Sequence, residues 1–513
     1  MAGCIKNGLR ILYLLAVALT WLAALFLAME CGQRLYIRYV QEDVGRLWAD
    51  HVQAGHAQNQ HWIDTAIADA QPPPRGLSPD PDAPPRLTWD ALSEPGDRAQ
   101  FAKDREEAIF LCDRTGLKRE GYLPESPAAL RECAAQGGNA GPIWAILGED
   151  AAQSNDARDT FQAVCGGGPP QMREYQLQRA DGTLYAAEFY FAPYPSTERP
   201  PALVSLFVRE SMYEIPWCRL RPHKYRDDTV AGWVIWTNNA GFRGPDIVLP
   251  KPAGAYRILC VGGSTTFEGV RNHLTYPAIL QRKLRKHFNT DRIEVVNGGV
   301  NAINSDQELK QFPNYLAIQP DLIVHYNFVN DISIILKRIE QHDAANRMAK
   351  IRALASGSTF LQCHLPSLLA VPEQALQDTI ESFTLKNECA MMEQARQHGV
   401  EWVACSFAYP DISRLDASQR RSFMNIYNPG FFILGGLESY IRAVTFYNRR
   451  IQECAGRAGN QYIPVAERLS TATDCFEDVC HLYANGIAEK ADIIFEHLRP
   501  RIATDRTTAD DRQ

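Results

Sequence analysis

Ser264 stands where nucleophilic chemistry could occur, because it follows Gly262 and Gly263 at the end of an apolar run. Two glycines permit a tight turn that exposes a serine at the start of a helix. The backbone N–H of that serine could then donate to a developing oxyanion. The same residues could instead bind a phosphate or form a simple turn. The lysine of a P-loop is absent from this segment, which weakens the phosphate interpretation.

Asp478 and His481 form a second candidate group, in the run FEDVCHL. A carboxylate three residues before a histidine on a turn can accept from one ring nitrogen while the other nitrogen faces a serine. A single histidine is more often structural or exposed. The chain order Ser…Asp-x-x-His, with each piece after a predicted strand, argues against coincidence. Asn330 could add an amide N–H donor, although an asparagine after a strand is more often a turn or a cap.

Five apolar runs are predicted to be the strands that position these residues, at 256–263, 292–299, 321–328, 400–407 and 460–467. Amphipathic helical segments separate them. This alternation indicates an α/β fold, with a five-stranded parallel sheet between two helical layers (α/β/α). Active groups gather at the carboxyl ends of the strands in such sheets.

Four segments, GGSTTFEG, VVNGGVNAINS, NFVNDI and DVCHLYANG, resemble the conserved blocks of the SGNH hydrolases, which include the GDSL lipases and esterases. NNAGFRGPD at 238–246 is similar to the lead-in of bacterial members. The resemblance implies a flavodoxin-like fold, Ser264 as nucleophile, Asp478 and His481 as the rest of a triad, and Asn330 as an oxyanion donor. It also implies ester hydrolysis through an acyl-enzyme, with no metal or organic cofactor.

Two positions depart from the family pattern. Ala302 stands where the oxyanion glycine usually lies. The donor there is a backbone N–H, so alanine can serve if its φ is negative, and Gly299 is the alternative donor. Phe328 replaces the usual glycine two residues before Asn330. Its ring is expected to narrow the pocket or to act as a platform for substrate.

Three functions are compatible with these residues. The first is an esterase that acts on an acylated carbohydrate or lipid. The second is a polysaccharide O-acyltransferase, although the Asp-x-x-His block is the hydrolase arrangement. The third is a degenerate sensing or binding protein. Tyr427, Phe431 and Phe432, in an aromatic-rich segment, could line an acyl or sugar pocket, but domain core is the favoured interpretation.

Residues 11–29 contain no charge and would span about 28 Å as a helix, close to the thickness of the bilayer core. The apolar run is longer than that of a signal peptide, and the following MECG lacks a good cleavage site. We predict a single-pass membrane anchor with the catalytic domain outside the cytoplasm.

The rest of the chain divides by composition and pattern. Domains are predicted as follows: 1–35 tail and transmembrane anchor, 36–100 helical and proline-rich linker, 101–225 α+β accessory domain, 231–500 hydrolase domain and 501–513 disordered tail. Within the accessory domain, residues 100–165 are predicted to be largely helical. An antiparallel meander follows, with a hairpin turn at Asp181-Gly182. This layout resembles a PAS-type sensor domain, but an unclassified α+β domain is equally compatible.

Composition excludes one class of partner. The 513 residues carry a net charge of -7 with a pI near 6.0, which argues against nucleic-acid binding. The 13 cysteines include no CxxC pair and no zinc-site spacing with histidines. Cys475 and Cys480 flank a short loop and could form a disulfide if the domain is exported.

Overall fold

The computed structural model describes most of the chain from residue 108 onward. The described ranges are 108–122, 150–166, 171–178, 184–193, 203–213, 219–228, 233–343, 371–411 and 437–510, together with a few single positions, some of them before residue 108. The chain divides into two compact units whose boundary lies between Arg226 and Asp227. We call them the antiparallel unit, within residues 73–226, and the α/β unit, described from Asp227 onward.

The antiparallel unit contains a five-stranded sheet in the order β2-β1-β5-β4-β3. Its elements are β1 (Ala108–Asp113), β2 (Lys118–Tyr122), α1 (Ala151–Cys165), β3 (Gln171–Gln178), β4 (Leu184–Pro193) and β5 (Leu203–Glu210). Asp150 caps the start of helix α1, and its carboxylate accepts from the backbone N–H groups of Ala152 and Gln153. The helix buries Phe161 near Phe191, with ring centroids 6.5 Å apart. The unit is therefore α+β, as predicted, and its likeness to a PAS-type domain stays a prediction.

The prediction of a largely helical segment at 100–165 is wrong at its start, where β1 and β2 form an antiparallel pair. A short apolar run such as AIFLC does not distinguish a buried strand from a buried helix. Pairing of β1 with both β2 and β5 decides for the strand. The hairpin prediction is confirmed by the pairing of β3 with β4, while Asp181 and Gly182 lie outside the described residues.

The α/β unit alternates strands and helices along the chain. Strand β6 (Tyr225–Asp228) crosses the boundary in the chain. The strands of this unit that follow it are β7 (Trp233–Trp236), β8 (Tyr256–Gly262), β9 (Ile293–Gly299), β10 (Leu322–Tyr326), β11 (Glu401–Cys405) and β12 (Gln461–Ile463). Its helices are α2 (Ser264–Phe267), α3 (Tyr276–Phe288), α4 (Ser305–Ala317), α5 (Asp331–Asp343), α6 (Glu373–Thr379), α7 (Lys386–Gln397), α8 (Leu437–Arg457), α9 (Val465–Leu469) and α10 (Ala484–Asp510). A π-helical segment, Ile380–Leu385, joins α6 to α7.

A parallel sheet in the order β12-β11-β10-β8-β9 forms the centre of this unit, which confirms the predicted five-stranded α/β fold. Every residue of β10 is buried, as expected for a strand covered on both faces. Helix α3 packs against α10, and α4 packs against α7. These two pairs belong to the helical layers of an α/β/α sandwich.

The strand order reverses between β8 and β10. The chain passes from β8 to β9 on one side and then returns to β10 on the other side. Ligands of open α/β sheets bind in the crevice at such a switch point, outside the carboxyl ends of the strands. Ser264 directly follows β8, and Asn330 lies shortly after β10.

Several sequence predictions concern the ends of the chain. Helix α10 continues to Asp510 and so includes residues 501–510 of the segment for which a disordered tail was predicted. Of the predicted anchor, only Met29 is described, and within the described part of the chain no helix has both the length and the apolar character to cross a bilayer.

Candidate active site

Ser264 is the first residue of α2, and only Gly263 separates it from the end of β8. The two glycines before it are needed for space and not for a left-handed backbone. A Cβ on Gly262 would lie 2.2 Å from the carbonyl oxygen of Tyr326, and one on Gly263 would lie 2.3 Å from Nδ2 of Asn330. Since φ of Gly263 is -83°, the tight approach of neighbouring backbone and side chain explains the glycine pair.

Ser264, His481 and Asp478 form a continuous chain of hydrogen bonds. The Ser264 hydroxyl lies 2.8 Å from Nε2 of His481. The Nδ1–H of the same ring donates to Oδ2 of Asp478 over 2.6 Å. Oδ1 of Asp478 accepts from the backbone N–H groups of His481, at 2.7 Å, and Cys480, at 2.8 Å. Both carboxylate oxygens are therefore held, and the imidazole presents its acceptor nitrogen to the serine.

The electrostatics of the pair suit a base that gains a proton. Burial raises the pKa of Asp478, but the charge of His481 and hydrogen bonds from His481 and Cys480 outweigh it and lower the pKa to about 2. Burial acts to lower the pKa of His481, while Cys480 and Asp478 together raise it well above its usual value. The Asp478 carboxylate is therefore still ionised when His481 becomes protonated, and its charge stabilises the imidazolium.

Asn330 lies against the nucleophile turn. Its Nδ2 donates to the carbonyl of Ile303 at 2.9 Å, which uses one of its two amide protons. This amide nitrogen also lies directly against Gly263, because a Cβ on that glycine would come within 2.3 Å of it. The second N–H of the same group has no hydrogen-bond partner among the described residues, so it can donate beside Ser264, as an oxyanion site requires.

Ala302 has a φ of +60°, so the negative φ that we set as the condition for alanine to serve as a donor is not found there. Hydrogen bonds on both sides impose this left-handed backbone. The Val300 N–H donates to Gly262 at 3.0 Å, and the Ile303 carbonyl accepts from Asn327 and Asn330. The N–H of Ala302 donates to none of the residues that the structure describes.

Gly299, the alternative donor, is already occupied. Its N–H donates to Oδ1 of Asn297 at 2.9 Å. Glycine normally fills left-handed positions, which is why the family pattern has it where this chain has Ala302. The free N–H at Ala302 makes it the better candidate of the two.

Phe328 does not reach the site, contrary to both roles predicted for it. Its side chain is 1% exposed and stacks on Tyr447, with ring centroids 4.3 Å apart. It also meets the edge of Phe407 at 6.3 Å. The ring belongs to the domain core, so it neither narrows a pocket nor forms a platform. Tyr427, Phe431 and Phe432 lie outside the described residues.

Sequence reasoning missed a buried arginine that supports the nucleophile helix. Arg243 donates to Oδ1 of Asn272 at 2.9 Å and to the carbonyls of Phe267, the last residue of α2, and Gly269. Its guanidinium also lies over the Phe267 ring. The sequence feature that could have revealed it is the position of this arginine within NNAGFRG, among residues typical of a buried turn. A second missed group is the buried pair of Glu268 and Lys490.

Cysteine chemistry contributes little to the site. Cys475 and Cys480 are both buried free thiols, so the possible disulfide between them is not formed in this structure. Asp478, Cys480 and His481 each offer a potential metal ligand within 4.8 Å. However, the carboxylate and the imidazole already bind each other, and burial raises the pKa of the Cys480 thiol to about 12. This group therefore fits a proton relay better than a metal site.

Comparisons with known proteins give remote similarities. No family model matches the chain, and no curated protein matches it. A GDSL-like lipase from Bacteroides thetaiotaomicron is 13% identical, with 49% of this chain and 93% of that chain covered and a TM-score of 0.29. A lipase/acylhydrolase from Enterococcus faecalis is 14% identical, with 48% and 96% covered and a TM-score of 0.30. An acetyl-xylooligosaccharide esterase variant from Geobacillus is 14% identical, with 48% and 95% covered and a TM-score of 0.31. At these identities and TM-scores the activity of this chain has to be inferred from its own site.

Proposed function

We propose that the α/β unit is an SGNH-type serine hydrolase that cleaves carboxylic esters through an acyl-enzyme. The observation that carries the proposal is the chain of hydrogen bonds from Ser264 through His481 to Asp478, with distances of 2.8 and 2.6 Å. It lies at the carboxyl end of β8, beside the switch point of the sheet. A nucleophile, a base and a group that orients the base are the elements of covalent acyl transfer.

In the first step the Ser264 oxygen attacks the ester carbonyl while Nε2 of His481 accepts the hydroxyl proton. The bond to Asp478 keeps the second ring proton on Nδ1, so Nε2 is the acceptor when the reaction starts. The imidazolium then donates its proton to the departing alkoxide. The first product is an alcohol, and the acyl group remains on Ser264.

Three donors are proposed to hold the tetrahedral oxyanion. They are the backbone N–H groups of Ser264 and Ala302 and the free amide N–H of Asn330. Each such donor typically contributes about 3–4 kcal/mol to lowering the barrier. In the second step water attacks the acyl-enzyme while His481 accepts its proton, and the imidazolium then returns that proton to the Ser264 oxygen as the carboxylic acid leaves.

An acylated carbohydrate or lipid is the proposed substrate class. The substitutions at Ala302 and Phe328 do not favour a degenerate site, because the N–H at 302 has no partner within the described ranges and the Phe328 ring is buried in the core. We also propose that residues 11–29 anchor the chain in a membrane with the α/β unit outside the cytoplasm. The support for the anchor is the uncharged sequence of that segment.

The experiment that tests this function is a substrate profile of the purified full-length chain in detergent. Short acyl esters, acetylated glycans and phospholipids are supplied with and without acceptor sugars. We expect release of free carboxylic acid without any acceptor. Turnover that depends on an acceptor sugar would assign the acyl-enzyme to a transferase, and no turnover with any ester would contradict the proposal.

A further inference from the structure

A buried ion pair lies directly behind the nucleophile helix. Glu268 follows the last residue of α2 and is 6% exposed, while Lys490, on α10, is 0% exposed. Their side chains form a salt bridge that solvent does not reach. Burial raises the pKa of Glu268 and lowers that of Lys490. The proposed reaction assigns neither residue a role.

The pair links α10, which carries Lys490, to the nucleophile helix and to the loop of the base. One oxygen of Glu268 bonds the ammonium of Lys490, and the other accepts from the backbone N–H of Leu482 at 3.0 Å. The ammonium also donates to the carbonyl of Thr265 at 2.6 Å. Leu482 directly follows His481, and Thr265 directly follows Ser264. The loop of the base and the helix of the nucleophile are therefore tied to the same carboxylate and ammonium.

The loop that carries His481 is closed by its own backbone. The Glu477 N–H donates to the His481 carbonyl at 2.9 Å, and the Tyr483 N–H donates to Cys475 at 2.9 Å. Phe476 and Leu482 form an isolated antiparallel bridge. A displacement at Leu482 would consequently move the imidazole with it.

Stability alone does not account for such a pair. The ammonium of Lys490 lies over the rings of Tyr276 and Tyr326, 4.7 and 4.5 Å from their centroids, and makes cation–π contacts with both. Desolvation of two charges usually offsets their attraction, and apolar replacements of both partners are often as stable. A function for the pair explains its presence better.

We propose that Glu268 and Lys490 are positioning residues that set the distance between Ser264 and His481. The pair fixes the Leu482 N–H on one side and the Thr265 carbonyl on the other, which holds the base against the nucleophile. This inference depends on the proposed roles of Ser264 and His481. Neither Glu268 nor Lys490 contacts substrate in this scheme.

Two double variants separate positioning from stability. Each single change leaves a buried charge without its partner, which is expected to impair folding. Glu268→Gln with Lys490→Met removes both charges but keeps a carbonyl oxygen that can accept from Leu482. Glu268→Leu with Lys490→Met removes both charges and that acceptor. The flexible methionine fits between the two rings in both proteins, so they differ only at residue 268.

We expect the Leu/Met variant to have a kcat about 10- to 100-fold below that of the Gln/Met variant, because small misplacements of catalytic groups are costly. KM should agree within about twofold, and the two are compared at a temperature at which both are folded. Equal kcat values would overturn the proposal. If the wild type cleaves no ester, the proposed function fails instead, and the two failures are thus distinct.

Hydrogen exchange of the wild-type chain gives a second test that needs no variant. The Leu482 amide should be protected from exchange to a degree similar to the amides of the surrounding core strands. Exchange of this amide at the rate of an exposed loop N–H would overturn the proposal, even if both double variants failed to fold.

Discussion

Nδ1 of His481 lies 2.6 Å from Oδ2 of Asp478, and the backbone N–H of the same histidine donates to the other oxygen of that carboxylate at 2.7 Å. Asp478 therefore fixes both the ring and the peptide of His481. Its negative charge favours the protonated imidazole, so the pKa of His481 is raised although burial opposes this.

A pH profile should reveal this relationship. Only the neutral imidazole can accept the serine proton. The value of kcat/KM therefore decreases as the pH falls through the pKa of His481, and it reaches its plateau above that pKa. We expect the acid limb to lie above about pH 6.5, the ordinary histidine value. In Asp478→Asn the limb should move to lower pH, and the plateau should fall by about 10⁴-fold because the tautomer is no longer fixed.

The matched control is Asp306→Asn on the exposed surface of α4, where the carboxylate bonds Lys310. Its profile should coincide with the wild type. An acid limb at the same pH in Asp478→Asn and the wild type would contradict the role assigned to Asp478.

Asn330→Ala should reduce kcat by about 100- to 1,000-fold, because it removes one oxyanion donor and leaves the triad. Loss of the bond to Ile303 should also lower the free energy of unfolding by about 1 kcal/mol. Steady-state kinetics and thermal melting measure the two effects. Asn314→Ala, on the outer face of α4, serves as the control, and equal kcat values for both variants would remove Asn330 from the oxyanion site.

Ala302→Gly should stabilise the chain. Relief of the left-handed conformation gains roughly 1–2 kcal/mol, and the greater freedom of glycine in the unfolded chain costs about 0.5–1 kcal/mol. The net gain should be about 0.5–1 kcal/mol in denaturant unfolding. Ala390→Gly, inside α7, should destabilise by about 1 kcal/mol. A loss of stability in Ala302→Gly would show that its φ is not positive in solution.

The membrane anchor is tested with reporter fusions. A reporter that is active only outside the cytoplasm, fused after residue 513, should be active in cells that express the full chain. Deletion of residues 1–35 should abolish that activity and release the α/β unit from the membrane fraction. Activity restricted to a cytoplasmic reporter would reverse the predicted orientation.

The central sheet could be predicted from sequence because each strand is a short apolar run bounded by turns or amphipathic helices. The positions of Ser264, Asp478 and His481 after predicted strands also allowed their proximity to be predicted, since the carboxyl ends of parallel strands lie at one edge of the sheet. The antiparallel unit was harder, because the short apolar run at β1 is compatible with helix and strand. Only its pairing with β2 and β5 resolves the choice.

Other features of the site depend on contacts that sequence does not display. The φ of Ala302 depends on hydrogen bonds that its neighbours in the chain make with two other strand ends. The Val300 N–H donates to Gly262 at the end of β8, and the Ile303 carbonyl accepts from Asn327 and Asn330 after β10. The direction of the Phe328 ring depends on Tyr447 in a distant helix. Lys490 could have been noticed as a charge on the apolar face of α10. Its partner lies 222 residues away, so the ion pair itself could not be inferred.

Covalent labelling of Ser264 tests the central claim most directly. The wild type should react with a serine-directed fluorophosphonate and release acid from an ester, and Ser264→Ala should do neither while its thermal melting stays close to that of the wild type. His481→Ala should lose ester turnover to a comparable extent, because nucleophile and base act as a unit. Mass spectrometry of the labelled peptide should place the adduct on Ser264. Full ester turnover in Ser264→Ala, or an adduct on another serine, would contradict the account.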